Sequence, residues 1–185
     1  MVQPQLVQGK IYSFVPESEL NHLGITLDDN VAKIVRKHMV ICLGIVRGRP
    51  NHVKVMTITS TVKDGHEYVP IAPTPKKPYP IQIQLRNSSS YSCGQWVRQF
   101  TTLRLDSYLK IDACYEVPIQ ALEQVPDCYG NPLSIRPGRG AGGLPQLNDY
   151  IRRRDSIREI KKTFREMEKQ DVLFEAMENL TLSDG

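Results

Sequence analysis

Hydrophobic residues in the first two thirds of the chain recur with the two-residue period of β-strands. Ile81, Ile83 and Leu85, for example, alternate with glutamines. Similar runs rich in β-branched residues predict strands over residues 10–15, 38–46, 53–61, 81–85 and 96–105. Because turn residues rather than long helices separate these runs, the pattern favours a barrel or a sandwich. The sequence therefore predicts a mainly β (α+β) protein built on a small barrel-like or sandwich domain.

Three segments of this region break the strand pattern. Residues 61–80 contain five prolines and are predicted to form a long, irregular surface loop. Residues 28–35 suit either a short helix or an extended stretch. Residues 118–125 place Ile119 and Leu122 three positions apart behind a proline, which predicts a short helix that closes the domain.

The last part of the chain changes to the period of an α-helix. Apolar residues at three- and four-residue steps, with Asp171 interrupting them, are Ile157, Ile160, Phe164, Met167 and Phe174. A continuous helix over residues 147–180 would extend roughly 50 Å. Such a helix needs a partner surface, so a protein partner is expected for it.

These patterns divide the chain into three parts. Residues 1–130 form the predicted barrel, and residues 131–146, rich in glycine, proline and arginine, form a predicted flexible linker. Residues 147–185 form a charged amphipathic helical extension that ends in an acidic tail. The glycines from Gly138 to Gly143 lack the strand and the Gly-Lys-Ser/Thr of a phosphate-binding loop, so they are interpreted as part of the linker.

Charge is distributed unevenly between these parts. The net charge of +4 arises from 16 Lys/Arg against 11 Asp/Glu in residues 1–147 and 8 against 9 in residues 148–185. A basic excess in the first part is compatible with nucleic-acid binding and equally with an ordinary domain. No apolar run approaches the length of a membrane span, and the first residues lack a signal-peptide pattern. We therefore expect a cytoplasmic protein without membrane contact, with the nucleus as the alternative.

Cysteine and histidine spacing gives no sign of a cofactor. The four cysteines include no C-x-x-C pair, and the four histidines match no familiar zinc pattern, so reduced thiols and no metal are expected. Cys93 with His66 as its base would be a candidate nucleophile pair, but nothing in the sequence brings the two together.

The candidate chemistry lies at the ends of two neighbouring predicted strands. Lys37 and His38 lie at the start of the predicted strand at 38–46, while Thr57 and Thr59 occupy one face at the end of the next strand. One interpretation is that β-branched threonines simply suit a strand. The other is that a cation and hydroxyls at a barrel mouth hold a phosphodiester while a ribose 2′-hydroxyl attacks it.

Five segments between residues 8 and 126 support the second interpretation by their order: Gly9 to Tyr12, Lys37 to Cys42, Val53 to Ser60, Tyr79 to Ile83, and Gln95 to Leu105. This order resembles the MazF/PemK-like toxins of toxin–antitoxin systems, which are small SH3-like barrels that cut single-stranded RNA. The resemblance implies an SH3-like barrel, a homodimer and metal-independent endoribonuclease activity on single-stranded RNA.

Carried over residue by residue, the resemblance makes Lys37 the counterpart of the catalytic arginine, unless neighbouring Arg36 takes that place. Thr59, or Ser60, becomes the phosphate-contacting hydroxyl. A lysine keeps the charge of the arginine but loses its planar bidentate fork. His38 stands where the family has a proline.

The same resemblance extends the expected RNA-binding surface to His38, Thr57, Trp96 and Arg98. Trp96 would stack on a base, and Arg98 would line the groove or support the fold. Two functions stay open at this point. The protein is either an RNA-binding endoribonuclease, or a catalytically inactive barrel that acts as a protein- or nucleic-acid-interaction module through its long C-terminal helix.

Overall fold

The computed structural model of the protein describes residues 7–183, except for the side chains of residues 90, 92, 96, 97 and 171–183. The chain divides after Leu147 into two compact units. The first unit contains the β-structure, and the second consists of the long helix beyond its first turn.

Nine strands and two α-helices occur within the described residues. The strands are β1 (Ile11–Phe14), β2 (Val40–Val46), β3 (Arg49–Thr59), β4 (Tyr68–Ile71), β5 (Ser88–Ser92), β6 (Gln95–Gln99), β7 (Ser107–Lys110), β8 (Tyr115–Pro118) and β9 (Leu122–Gln124). The helices are α1 (Glu17–His22) and α2 (Leu144–Ser183), with short 3₁₀ turns at Val35–Lys37 and Ile119–Ala121. A mostly β chain with a long C-terminal helix is therefore confirmed.

Seven strands form one antiparallel sheet in the order β4-β7-β3-β2-β1-β9, with β8 also paired to β3. β3 is 11 residues long and pairs with three strands, with β2 along one edge and with β8 and β7 in succession along the other. Its first half pairs with β8 at Val53↔Val117, and its last residues pair with β7 at Ile58↔Leu109. Within the described residues β4 and β9 do not pair with each other, so the sheet is not closed into a barrel.

The core on one face of the sheet fixes the connection that leads into β2. Val40, Cys42, Val53 and Val55 alternate toward this core, as expected for strands with one buried face. Leu20 of α1 and three residues of the following connection, Leu27, Val31 and Val35, cover it. Burying Val35 anchors the 3₁₀ turn, so that the next residues, Arg36 and Lys37, are held at the surface beside β2.

Residues 61–85 differ from their prediction. The proline-rich stretch contains β4, whose four residues are all buried and pair with β7. Residues 81–85 form no strand and make only single bridges, Ile71↔Ile83 and Leu85↔Ile135. The predicted surface loop is thus wrong in its middle, because β4 supplies part of the core.

The predicted helix at residues 118–125 is also wrong. The chain makes one 3₁₀ turn at Ile119–Ala121 and then continues as β9, which pairs with β1 at Tyr12↔Gln124. Without β9, the hydrogen-bonding edge of β1 would be left without a partner strand, which is costly for buried backbone.

The segment predicted as a flexible linker packs on the sheet. Leu133 and Ile135 are buried, and the Ile135 N–H donates to the Gly9 carbonyl at 2.7 Å. Gly142 has a φ of +77°, and a Cβ there would lie 2.7 Å from the Gln82 carbonyl oxygen. The helix α2 begins at Leu144, three residues earlier than predicted, and Leu147 is buried.

The second unit is the remainder of α2, which is 40 residues long in total. The apolar residues Ile157, Ile160, Phe164 and Met167 are each more than half exposed on it. The predicted acidic tail includes Asp184, which lies outside the described residues. None of the helices in residues 7–183 combines the length and hydropathy that crossing a membrane requires.

Candidate functional site at the end of β3

Two adjoining grooves open where β2 begins and β3 ends. The first, which we name the Lys37 groove, has a volume of about 240 Å³ and is lined by Lys37, Ser60, Leu103 and Arg104 among others. The second, the His66 groove, has a volume of about 340 Å³ and is lined by Lys63, His66, Tyr68, Lys110 and Tyr115 among others. His38 and Thr59 line both grooves, so the two form one continuous surface.

The antiparallel pairing of β2 with β3 places these residues together. Val40 pairs with Thr57, and the Ile58 N–H donates to the Met39 carbonyl at 2.7 Å. The residues just before β2 therefore lie beside the residues at the end of β3. Residues of the predicted site that line one or both grooves are Lys37, His38, Thr57, Thr59 and Ser60.

Arg36, the alternative catalytic cation, lines neither groove. Its Nε donates to the Val31 carbonyl at 3.0 Å, and its guanidinium lies 3.8 Å from a Glu17 carboxylate oxygen. These contacts stabilise the connection between α1 and β2. Lys37 is exposed and is the cation that this turn presents to the grooves.

The hydroxyls at the end of β3 differ in their availability. Thr57 is buried, while Ser60 is exposed. The Thr59 hydroxyl accepts a hydrogen bond from the Thr61 N–H and lies within 3.2 Å of the Thr61 carbonyl, to which it donates. The Thr59 hydroxyl thus stabilises the turn that ends β3. Because a hydroxyl oxygen has two lone pairs, it can still accept one more hydrogen bond from a ligand.

Arg98 and Trp96 lie elsewhere, on β6. This strand pairs only with β5 among the described strands, in a hairpin that forms its own two-stranded sheet. Arg98 is exposed and lines a separate cavity of about 350 Å³ together with Arg86 and Arg136. The structure therefore does not bring Arg98 to the two grooves, and the Trp96 side chain lies outside the description.

A histidine–carboxylate pair in the His66 groove is the main feature that the sequence did not reveal. His66 Nδ1 lies 2.5 Å from Asp112 Oδ2. The pairing of β4 with β7, in which Tyr68 is opposite Lys110 and the Ile111 N–H donates to the Glu67 carbonyl, places His66 and Asp112 across from each other. Since neither strand was predicted, no sequence pattern indicated this contact.

Asp112 is well placed to orient the imidazole. Its side chain is only 17% exposed, and its Oδ1 is buried without a hydrogen-bond partner. The Lys110 ammonium lies 4.0 Å from Oδ2. With Nδ1 held by the carboxylate, the other ring nitrogen of His66 is left for a ligand in the groove.

The groove surface is cationic and rich in hydrogen-bond donors. Among the described residues that line the two grooves, Lys37, Lys63, Arg104 and Lys110 are basic and none is Asp or Glu. Burial, with smaller contributions from Asp112 and Cys114, raises the pKa of Tyr115, so its hydroxyl stays protonated at neutral pH. Such a lining favours an anionic ligand.

Among the side chains that the structure describes, no three His, Cys, Asp or Glu residues are arranged as a metal site. Comparisons with protein families, with curated proteins and with solved structures found no match to this chain. The functional inference therefore depends on the geometry and chemistry of the two grooves.

Proposed function

We propose that the two grooves bind single-stranded RNA and cleave it, and that the first unit is a divergent MazF/PemK-like protein of the SH3-like type. The observation that carries the proposal is the meeting of Lys37, His38, Thr59 and Ser60 in one groove that continues into another holding His66. A phosphodiester is an anion flanked by apolar bases, and this surface offers cations and hydroxyls beside apolar and aromatic residues.

The position of the site within the sheet supports the proposed fold. Lys37 and Thr59 come from segments that resemble the family's catalytic strands, and the β2–β3 pairing puts them side by side. The double pairing of β3, with β8 and then with β7, is consistent with a sheet that curves around a small core. The lack of closure and the extra helix would make this chain a divergent member.

The proposed reaction needs a base, an acid and a cation. His66, oriented by Asp112, would take the proton from the ribose 2′-hydroxyl, and the 2′-oxygen would form a bond to phosphorus. The bond between phosphorus and the 5′-oxygen would then break, and His38 would donate a proton to that oxygen. Lys37 would stabilise the charge on the non-bridging oxygens. The products would be a 2′,3′-cyclic phosphate and a 5′-hydroxyl.

The experiment is incubation of the full chain with mixed-sequence single-stranded RNA in EDTA, followed by analysis of the cut ends. We expect the wild type to leave cyclic phosphates. Loss of acid–base catalysis typically costs about 10²–10⁴-fold, so His66→Gln should fall into that range, and Asp112→Asn, which removes only the orienting charge, should lose less. Lys37→Ala should also be strongly impaired.

Two controls separate this site from a contaminating nuclease. Lys76→Ala removes an exposed lysine that is not among the lining of either groove, and it should cleave like the wild type. An RNA with a single 2′-deoxy nucleotide should resist cleavage at that position, because the attacking hydroxyl is gone. Intact RNA with folded wild type, or equal cleavage by all variants, would overturn the proposal.

A second candidate function is an interaction module without catalysis. The exposed apolar residues Ile157, Ile160, Phe164 and Met167 on α2 favour it, since contiguous exposed apolar surface marks interaction sites. Under this function, Lys37→Ala and His66→Gln would leave the protein's binding behaviour unchanged, whereas substitutions on α2 would abolish it.

A further inference from the structure

The exposed apolar residues of α2 follow a heptad repeat. The steps from Ile157 to Ile160, Phe164 and Met167 are three, four and three residues, which places them at alternating a and d positions along one face. Each of the four is more than half exposed to solvent. Four large apolar side chains in one line have the spacing of the seam that one helix of a coiled coil presents to its partner helix.

The same repeat continues in both directions and reaches two opposite charges. One step before Ile157 is Arg153 at a d position, and one step after Met167 is Asp171 at an a position. The next positions outward are aromatic, Tyr150 and Phe174. Apolar and aromatic residues are therefore placed symmetrically about the centre of the seam. The charged residues break this symmetry, since a basic residue lies on one side and an acidic residue lies at the same distance on the other.

This arrangement discriminates between the two orientations of a helix pair. In a parallel pair, a faces a and d faces d, so Arg153 would face Arg153 and Asp171 would face Asp171. In an antiparallel pair, a faces d. If the two antiparallel helices cross at residue 162, Arg153 faces Asp171, Ile157 faces Met167, and Ile160 faces Phe164. The parallel pair buries two like-charge contacts, and the antiparallel pair replaces them with two opposite-charge contacts.

We propose that α2 pairs with α2 of a second copy of this chain in an antiparallel coiled coil over residues 150–174. At 1.5 Å per residue the contact is about 37 Å long. The pair has a two-fold axis, so the same face serves both copies. One unfavourable contact flanks the seam near the axis, where Lys161 meets Lys161, but an exposed pair of this kind contributes little. The proposal is independent of RNA cleavage.

A charge exchange tests both the pairing and its orientation. The mass of the full chain in solution would be measured by sedimentation equilibrium for the wild type, Arg153→Asp, Asp171→Arg and the double variant. We expect a wild-type dimer, a dissociation constant at least tenfold weaker for each single variant, and recovery to within about threefold of the wild type in the double variant.

Further variants secure the interpretation. Ile160→Glu with Phe164→Glu should give a monomer, and circular dichroism shows whether the chain stays folded. Lys162→Asp alters the outer face of the helix and should leave the dimer unchanged. A monomeric wild type at high protein concentration would overturn the proposal. Equal dissociation constants for the wild type and all three charge variants would also overturn it, because a parallel pair has like charges facing each other at both positions in every one of these chains. A double charge variant as weak as weakened single variants would overturn it as well, because the exchange would then restore no contact.

Discussion

At the scale of single residues, Asp127 shows how one carboxylate holds two parts of the first unit together. It accepts hydrogen bonds from the Ser88 hydroxyl at 2.5 Å and from the Tyr129 and Asn131 N–H groups at 2.8 and 2.9 Å. Ser88 in turn lies 2.6 Å from the Thr101 hydroxyl. The base of the β5–β6 hairpin is thereby tied to the turn that follows β9.

These contacts make the stability of the protein depend on pH. Partial burial raises the pKa of Asp127, but the hydrogen bonds from Ser88, Tyr129 and Asn131 outweigh it and lower the pKa below its ordinary value. A carboxyl with a lower pKa in the folded state stabilises the protein above its unfolded-state pKa, and this stability is lost as the pH falls through the folded-state pKa.

Asp127→Asn should therefore reduce the free energy of unfolding near neutral pH by about 1 kcal/mol, since the negative charge that strengthens these hydrogen bonds is lost and the Ser88 hydroxyl loses its carboxylate acceptor. Urea unfolding at several pH values measures this. The difference from the wild type should shrink in acid, where Asp127 is protonated. Asp64→Asn, at an exposed carboxylate, should have little effect at any pH. A pH-independent loss for Asp127→Asn would contradict the electrostatic explanation.

Residues of the candidate site could be predicted only where neighbouring strands position them. The sequence predicts Lys37 and Thr59 as neighbours because β2 and β3 are consecutive and both have clear strand patterns. His66 and Asp112 are 46 residues apart, and only the pairing of two unpredicted strands brings them together. Arg36 could not be separated from Lys37 by sequence, because its bond to the Val31 carbonyl depends on the local turn.

At the scale of elements, β4 explains why the proline-rich region was misjudged. The strand Tyr68–Ile71 contains Pro70, and a proline argues against a central strand. It is tolerated because β4 is the last strand of the sheet, where the missing N–H need not break the ladder. The misjudged helix at residues 118–125 has a different cause: apolar residues three positions apart also occur in a 3₁₀ turn that leads into a strand.

Two valines in this region allow a direct test of β4 as a core element. Val69 is fully buried and pairs with Leu109, while Val62 is exposed in the preceding loop. Val69→Ala should lower the free energy of unfolding by about 1–3 kcal/mol, from lost burial and the cavity left behind. Val62→Ala should change it by less than about 0.5 kcal/mol. Equal, small effects in chemical denaturation would mean that β4 is not part of the core.

At the scale of the whole molecule, the excess of basic residues and the line of exposed apolar residues lie in different units. The basic excess belongs to residues 1–147, which contain both grooves, while the described part of α2 carries the exposed apolar line. Composition alone showed this unequal division of charge. It could not show that Lys37, Lys63 and Lys110 line two adjoining grooves, because the positions of Lys63 and Lys110 depend on β4, β7 and the turns beside them.

If the grooves bind RNA through its phosphates, the affinity must fall as the salt concentration rises, and the steepness of this fall increases with the number of phosphates contacted. For a single strand, the logarithm of the binding constant falls with the logarithm of salt concentration by about 0.7 per phosphate contact. Lys37 and Lys63 are exposed and line the two grooves, so the Lys37→Ala, Lys63→Ala double variant should have a slope shallower by about 1.4.

The measurement is a salt titration with an RNA whose 2′-hydroxyls are methylated, so that binding is read without cleavage. The matched control is the Lys76→Ala, Lys77→Ala double variant, which removes the same charge from exposed positions that are not among the lining of either groove. It should keep the wild-type slope, because released counterions count only at phosphates that the protein touches. Equal slopes for the two double variants would place the RNA elsewhere on the chain, and the grooves would lose their proposed ligand.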